Sequence, residues 1–285
     1  MVTRNRIDTE LVRRKLAQDK KEAAEQISAG RVLCNGMPVK NIARIVNQSD
    51  SLVVKKDEQK WASRGAHKLL GAIQKFAPQG FSVENKRCLD AGASTGGFTD
   101  VLLHYGASEV VAVDVGYGQL IWRLQSDDRV TVMDRTNVRH IDADVIGGPV
   151  DVIVSDLSFI SLTSVLDAFY KCCQPGTDLM LMVKPQFEVA KNHIGEGGVV
   201  REPQYRADAV FQVATAAQEL GFAFKGVGAS PLPGPSGNVE YFLWLTCPTE
   251  SPNSLDREGA IIGGSEKNFV KLSDAIKKAV EEGPQ

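Results

Sequence analysis

The stretch Cys88-Leu89-Asp90-Ala91-Gly92-Ala93-Ser94-Thr95-Gly96-Gly97-Phe98-Thr99 decides how the rest of the chain is read. Its first residues have the apolar run of a buried strand, and residues 98–105 have the periodicity of a helix. Glycines at such a junction let the backbone turn sharply and approach a ligand, while the helix N-terminus presents unpaired N–H groups. Three kinds of site are built this way. A dinucleotide site asks for G-x-G-x-x-G, and the glycine spacing here departs from it. A hydrolase nucleophile elbow asks for G-x-S-x-G, which Gly92-Ala93-Ser94-Thr95-Gly96 satisfies, with Asp156 and His193 following in the required chain order. Against the elbow, the turn follows the first strand of the sheet and no HGGG-type segment precedes it. An S-adenosylmethionine site, the third reading, asks for an acid at the end of the next strand to hold the ribose hydroxyls. Val111-Ala112-Val113-Asp114 supplies one, and Asp134 ends the strand after that, where it would meet the adenine amine. On this reading Asp90, Gly92, Ala93, Ser94, Thr95, Gly96, Gly97, Asp114, Asp134 and Asp156 bind the cofactor.

Working outward, strands are expected near 86–90, 109–114, 130–133, 151–155, 178–184, 222–229 and 239–246. Helices at 66–76, 98–105 and 204–220 interleave with them. The alternation predicts an α/β fold, a Rossmann-like doubly wound sheet covered on both faces. A polar irregular run at 248–265 precedes an amphipathic helix at 267–281. Upstream, residues 8–17 read as a helix capped by Asp8 or Thr9, and 21–29 as a second helix ended by Gly30. Arg31–Cys34, the Asn35-Gly36 turn, Met37–Val39 and Ser51–Lys55 then read as a small sheet. The expected organisation is an N-terminal α+β domain over 1–58, a linker over 59–64, a catalytic domain over 65–250, and a C-terminal extension over 251–285.

The two halves differ in charge. The chain of 285 residues carries a net −2, but residues 1–60 hold 13 Lys and Arg against 8 Asp and Glu, a net of +5 on an otherwise acidic body. A basic module of that kind suits a nucleic-acid partner. No apolar run reaches the length of a membrane span, and the charged N-terminus lacks a signal-peptide core. Five scattered cysteines and four dispersed histidines suggest reduced thiols, no metal site and a cytoplasmic protein. A monomer is expected, though no sequence feature reveals the oligomeric state.

The methyl acceptor is read from the later strand ends. Ser155-Asp156-Leu157-Ser158-Phe159 is neither the acid-Pro-Pro-aromatic of amino-directed DNA enzymes nor the Pro-Cys of cytosine-carbon enzymes. Cys172-Cys173 is expected to lie within a helix, as core or helix-end packing. Lys184 leaves an apolar strand directly into the strand-end crevice, and burial of a lysine disfavours its charged form, which suits proton removal. A ribose hydroxyl is a weak acid whose alkylation benefits from a base or from cations that stabilise the oxyanion.

In order along the chain, Lys68, Asp156, Lys184 and Glu240 match the Lys-Asp-Lys-Glu tetrad of FtsJ-type ribose 2′-O-methyltransferases. From about residue 4 to 246 the chain resembles the TlyA (hemolysin A) family, most closely over Ser63–Leu69, Asp90–Leu103, Asp114–Leu120, Ser155–Leu162, Val183–Glu188 and Pro231–Leu245. The resemblance implies methylation of cytidine 2′-hydroxyls in the ribosomal RNA of both subunits. It makes Lys184 the deprotonating or oxyanion-stabilising group, Asp156 the residue that positions the donor and tunes Lys184, and Lys68 and Glu240 the groups that orient the ribose.

Residues 6–54 resemble the αL RNA-binding domain shared by a small-subunit ribosomal protein and many pseudouridine synthases. The match rests on Arg6-Ile7-Asp8, Ala23-Ala24, Ile27, Gly30-Arg31-Val32, Asn35-Gly36 and Val53-Val54. Where relatives open the second helix with Ser-Arg, this chain has Asp19-Lys20-Lys21, which keeps phosphate attraction but loses the guanidinium fork. The expected RNA contacts are Arg4, Arg6, Lys20, Lys21 and Lys40, with Arg64, Arg135 and Lys191 around the catalytic mouth. By the resemblance to the TlyA family, Trp61 in the linker helps couple RNA binding to cofactor binding; simple packing is the other reading. The family's name suggests lysis, for which no apolar span or basic amphipathic helix speaks.

Overall fold

A computed structural model of the chain describes residues 4–55, 60–248 and 266–284. The expectations for 57–59 and 249–265 lie outside them. The chain forms two compact units, residues 1–60 and 61–285.

In the first unit, strand β1 (Arg4–Arg6) leads into helices α1 (Ile7–Arg13) and α2 (Lys20–Ser28), followed by β2 (Val32–Cys34), β3 (Met37–Pro38), β4 (Ile45–Asn47) and β5 (Leu52–Val54). Strand β1 pairs antiparallel with β4, and β2 lies between β3 and β5. Ile7, Leu11, Ala23, Ile27, Val32 and Val46 are buried in a small core of their own. The first helix is shorter than the pattern suggested. Lys15 takes a left-handed φ of 57°, and the Leu16 N–H donates back to Leu11 O, closing the helix after Arg13. Neither Asp8 nor Thr9 caps it; Arg6 holds the cap position, and the Asp8 carboxylate binds Arg6 and the Thr9 N–H instead. The second helix ends as expected, with Gly30 at φ 68°. Its N-cap is Asp19, whose Oδ1 accepts from the Glu22 N–H at 2.8 Å. Asn35 and Gly36, at φ 51° and 79°, form the tight turn between β2 and β3. Pairing of Arg4–Arg6 into a strand was not legible, because three residues carry no periodicity of their own.

The second unit runs α3 (Gly65–Phe76), β6 (Arg87–Ala91), α4 (Gly97–His104), β7 (Glu109–Val113), α5 (Trp122–Gln125), β8 (Val130–Met133), β9 (Val150–Ser155), α6 (Leu166–Cys172), β10 (Cys173–Val183), α7 (Pro185–Glu188), α8 (Pro203–Glu219), β11 (Ala223–Ala229), β12 (Tyr241–Thr246) and α9 (Glu266–Glu282). Seven strands form one sheet in the order β11-β12-β10-β9-β6-β7-β8. The five strands from β8 to β10 are parallel, and β12 runs antiparallel between β10 and β11. Alternate strand residues feed opposite faces. Leu89, Val111, Ile153, Leu181 and Leu243 join α6, α8 and α9 on one side. Cys88, Val110, Val152, Met180 and Phe242 join α3, α4 and α5 on the other. The terminal helix is thus part of the fold, since Leu272, Ile276 and Ala279 are buried in the first of these cores. Cys172 ends α6 and Cys173 begins β10, so the pair marks a helix end.

Strand order reverses between β6 and β9, the first strand and the fourth. In open α/β sheets that switch point leaves a crevice at the carboxyl ends of the strands, where ligands bind.

Candidate active site

The glycine turn sits at that crevice. Gly92 has φ 90°, Ser94 49° and Gly96 100°, all in the left-handed region, and α4 starts at Gly97. A Cβ on Gly92 would lie 3.1 Å from Asp156 O and 3.0 Å from Leu157, so only glycine lets the turn lie against the end of β9. Leu120 and Leu124 press in the same way on Gly96.

A cavity of about 270 Å³ opens here, walled by Ser63, Arg64, Gly65 and Lys68, by the turn residues Gly92 to Thr95 with Gly97 and Phe98, and by Asp156, Ser158, Lys184 and Pro235. Each charged group is delivered by a different element. Asp156 and Lys184 are the first residues beyond β9 and β10, Glu240 is the last before β12, and Lys68 points from the first turn of α3. Lys184 Nζ lies 2.7 Å from Asp156 Oδ1 and donates to Ser158 Oγ at 2.7 Å. Lys68 Nζ pairs with Glu240 Oε2 at 2.5 Å and stands 3.7 Å from Asp156 Oδ2. The four residues form one chain of alternating charge, Glu240–Lys68–Asp156–Lys184. Three of them are nearly sealed from solvent, Lys68 at 4%, Lys184 at 6% and Glu240 at 1% exposure. Buried ions of one sign need partners of the other, and the alternation supplies them. Glu240 lies behind Lys68 and does not line the cavity.

The other acids occupy a second tier. Asp90 is fully buried and accepts from the Thr99 hydroxyl at 2.6 Å. Burial pushes its carboxyl up to about 7 against the pull of that hydroxyl, and its Oδ1 has no hydrogen-bond partner. Asp114 accepts from the Ser94 and Gly116 N–H groups at 2.8 and 2.7 Å, tying the glycine turn to the loop after β7. Asp134 accepts from the Gly118 N–H at 2.8 Å, tying that loop to the end of β8. Asp90, Gly96, Asp114 and Asp134 are not among the residues that wall the cavity.

The hydrolase reading fails on geometry. Ser94 is exposed and no hydrogen bond joins it to His193, whose ring stacks on Tyr205 at 3.9 Å between centroids. Arg64 is at the cavity wall, while Arg135, exposed, lies over the Tyr117 ring at 4.3 Å, and Lys191 is exposed in a short turn after α7. In the first unit Arg4, Lys20, Lys21 and Lys40 are exposed, and Arg6 is exposed but paired with Asp8. Trp61 packs edge-on against His104 at 5.2 Å, and the N–H of its neighbour Ala62 donates to Asp100 Oδ2 at 2.9 Å. Sequence reasoning missed Ser158 and Glu188. Both fall within the stretches that carried the resemblance, yet neither side chain advertises a role until the fold brings it to Lys184 or to the loop beside it.

The reversed parallel sheet with its antiparallel β12, the glycine turn and the buried Lys-Asp-Lys-Glu chain define a Rossmann-like methyltransferase. Residues 61–247 match the model of FtsJ-like methyltransferases, and residues 5–52 that of the S4 domain. The chain is 52% identical to the 16S/23S rRNA (cytidine-2′-O)-methyltransferase TlyA of Mycobacterium tuberculosis, covering all of both chains. It is 30% identical to the 23S rRNA (cytidine-2′-O)-methyltransferase TlyA of Campylobacter jejuni, over 82% of this chain and 96% of that one. A solved structure of a hemolysin-named protein from Streptococcus thermophilus superposes with a TM-score of 0.64 at 33% identity, over 99% and 100% of the two chains. The chain belongs to the TlyA family of FtsJ-like methyltransferases. Among the described residues no helix is long and apolar enough to cross a membrane.

Proposed function

We propose that the chain methylates the ribose 2′-hydroxyl of a cytidine in ribosomal RNA, acting as a monomer on ribosomal subunits with S-adenosylmethionine as donor. One observation carries the reading. Lys184 is a buried ammonium on the cavity wall, held between Asp156 and Ser158 beside the glycine turn.

The residues present fit the donor. Gly92 leaves the cradle that a Cβ would fill, Asp90 keeps a buried oxygen without a partner, and Asp114 and Asp134 end successive strands. The turn from Gly92 to Gly97 would hold the methionine end, Asp114 the ribose hydroxyls and Asp134 the adenine amine. When bound, S-adenosylmethionine supplies an electrophilic methyl group. The acceptor oxygen becomes a better nucleophile as its proton leaves, and Lys184 Nζ is placed to neutralise the oxyanion as an ammonium, or to take that proton once it has given up one of its own. Asp156 fixes Lys184 from one side and Lys68 from the other, so the two ammonium groups stay apart without a second acid between them. Glu240 holds Lys68 in turn.

RNA is delivered by the S4 unit. Its exposed Arg4, Arg6, Lys20, Lys21 and Lys40 meet phosphates, as do Arg64, Arg135 and Lys191 on the catalytic unit. Ala62, next to Trp61, is joined through Asp100 to Arg123 of α5, near Leu120 and Leu124, which cover Gly96. That contact path supports a role for Trp61 in coupling RNA binding to donor binding.

The test is transfer of labelled methyl to purified ribosomal subunits, followed by mapping of ribose methylation. Lys184→Ala is expected to lower transfer by roughly 1,000-fold or more, the scale of losing a transition-state charge partner. Donor affinity by calorimetry should change little. Substantial residual transfer in that variant would remove Lys184 from its role.

A further inference from the structure

Lys184 opens a short segment that runs alongside the loop after β9, and the two are joined at three successive points. At the first, Lys184 Nζ meets Asp156 Oδ1 and Ser158 Oγ, both at 2.7 Å. At the second, the Phe187 ring lies 5.4 Å from the Phe159 ring at an angle of 49°. At the third, the Glu188 carboxylate accepts from the Ser161 hydroxyl at 2.5 Å and from the Leu162 N–H at 2.8 Å.

An ammonium has three N–H directions. At Lys184 the Ser158 hydroxyl oxygen accepts one of them and Asp156 holds the charge as an ion pair, so donor capacity remains at the wall of the cavity that both Ser158 and Lys184 line. Without Ser158 the group could swing about its contact with Asp156, and a misplacement of that kind is costly to a reaction that depends on orientation. Ser158 in turn belongs to an exposed loop whose next residue, Phe159, is 91% exposed and held at φ 63°. A bulky residue keeps that left-handed conformation only where its surroundings fix it. Glu188 supplies the fixing two residues further on. It is 9% exposed, and burial raises its carboxyl above the usual range even with two donors on it. A buried carboxyl costs stability, and both of these hydrogen bonds of Glu188 go to the loop after β9.

We propose that Ser158 is a positioning residue for methyl transfer, fixing the direction of Lys184 Nζ, and that Glu188 is the clamp that holds the Ser158 loop in place. The proposal rests on the reading of Lys184 as the group that meets the ribose hydroxyl.

The experiment compares Ser158→Ala, Ser158→Thr, Glu188→Gln and the Ser158→Ala/Glu188→Gln double variant on purified subunits, with hydrogen exchange over residues 157–162. Loss of one hydrogen bond to a charged group predicts a fall in kcat of about tenfold for Ser158→Ala. KM for the subunit and donor affinity should stay within about twofold, because the contact acts on orientation and not on binding. Threonine keeps the hydroxyl and should restore most of the rate. Glu188→Gln should speed exchange across 157–162 and lower kcat, and the double variant should be little worse than the more impaired single one. A wild-type kcat in Ser158→Ala, or an equal loss in Ser158→Thr, would overturn the role of Ser158. Unchanged exchange in Glu188→Gln, or multiplying losses in the double variant, would overturn the clamp. If the unaltered protein methylates no ribose, the functional reading itself fails, and the exchange measurement still decides on the clamp.

Discussion

Each unit of the chain buries acidic side chains among cations, and the two arrangements serve different ends. In the S4 unit, Glu10 is 1% exposed and binds Arg13, Arg14 and Asn5, while Arg14 reaches on to the carbonyls of Asp50, Asn47 and Gln48. Every partner is satisfied within the fold, so the cluster works as a rivet between α1 and the β4–β5 turn. In the catalytic unit, Glu240 is equally buried, yet its chain of partners ends at Lys184 on a cavity wall. Its Oε1 also lacks a hydrogen-bond partner. Burial of charge alone does not mark a reactive site. What separates the two is a contact left open toward space that a substrate can enter.

Paired substitutions sharpen this contrast. Glu240→Gln removes the anion that holds Lys68, and methyl transfer should fall by roughly 100-fold or more, with thermal stability falling too because Lys68 remains buried. Glu10→Gln should cost the protein about 1–3 kcal/mol, less than a sealed pair, because Arg13 can return to water. The Arg13 guanidinium holds the Glu10 carboxyl well below its usual range, so the stability it contributes is present above about pH 4.5 and is lost as pH falls further. The stability gap between Glu10→Gln and its parent should therefore be full at pH 7, begin to narrow below about pH 4.5 and go on narrowing as the pH is lowered toward 2, read from unfolding curves across that range. Unchanged methyl transfer in Glu240→Gln would dissolve the contrast.

Much of the catalytic unit was legible in sequence because its signals are local. The glycine turn, the apolar strands and the strand-end acids Asp114, Asp134 and Asp156 each sit where a short pattern puts them. The Lys68–Glu240 pair spans 172 positions and could be named only through resemblance. Three features escaped for physical reasons. Strand β1 is three residues long and exists only because β4 pairs with it. The first helix stops early because Lys15 adopts a conformation that no residue preference announces. Ser158 and Glu188 are ordinary residue types whose roles arise from two strand ends brought side by side.

Asp90 lies between the two cases, being buried like the rivet and adjoining the turn like the site. With its carboxyl raised to about 7 by burial, the protonated form is favoured in the folded protein below that pH. The sign is opposite to that of Glu10. The contribution of Asp90 to stability is complete below about pH 4 and is lost as pH rises toward 7. Asp90→Asn should flatten the decline of melting temperature between about pH 4 and 7 while weakening donor binding. An identical decline in the variant would mean that Asp90 is ionised throughout.

The smallest effect concerns Lys20 and Lys21, exposed in the first turn of α2. Cations there oppose the helix dipole, by roughly 0.3–1 kcal/mol in other helices, and only the Asp19 cap and Glu22 offset them locally. A charge kept where it slightly destabilises its own helix is better explained by an external anion than by solubility. Replacing both with alanine should leave the unit as stable or a few tenths of a kcal/mol more so. The slope of log affinity for ribosomal RNA against log salt should fall by about 1 to 2, as two phosphate contacts predict. A gain in stability with an unaltered salt slope would assign these lysines to the solvated surface and move the phosphate contacts to Arg4, Arg6 and Lys40.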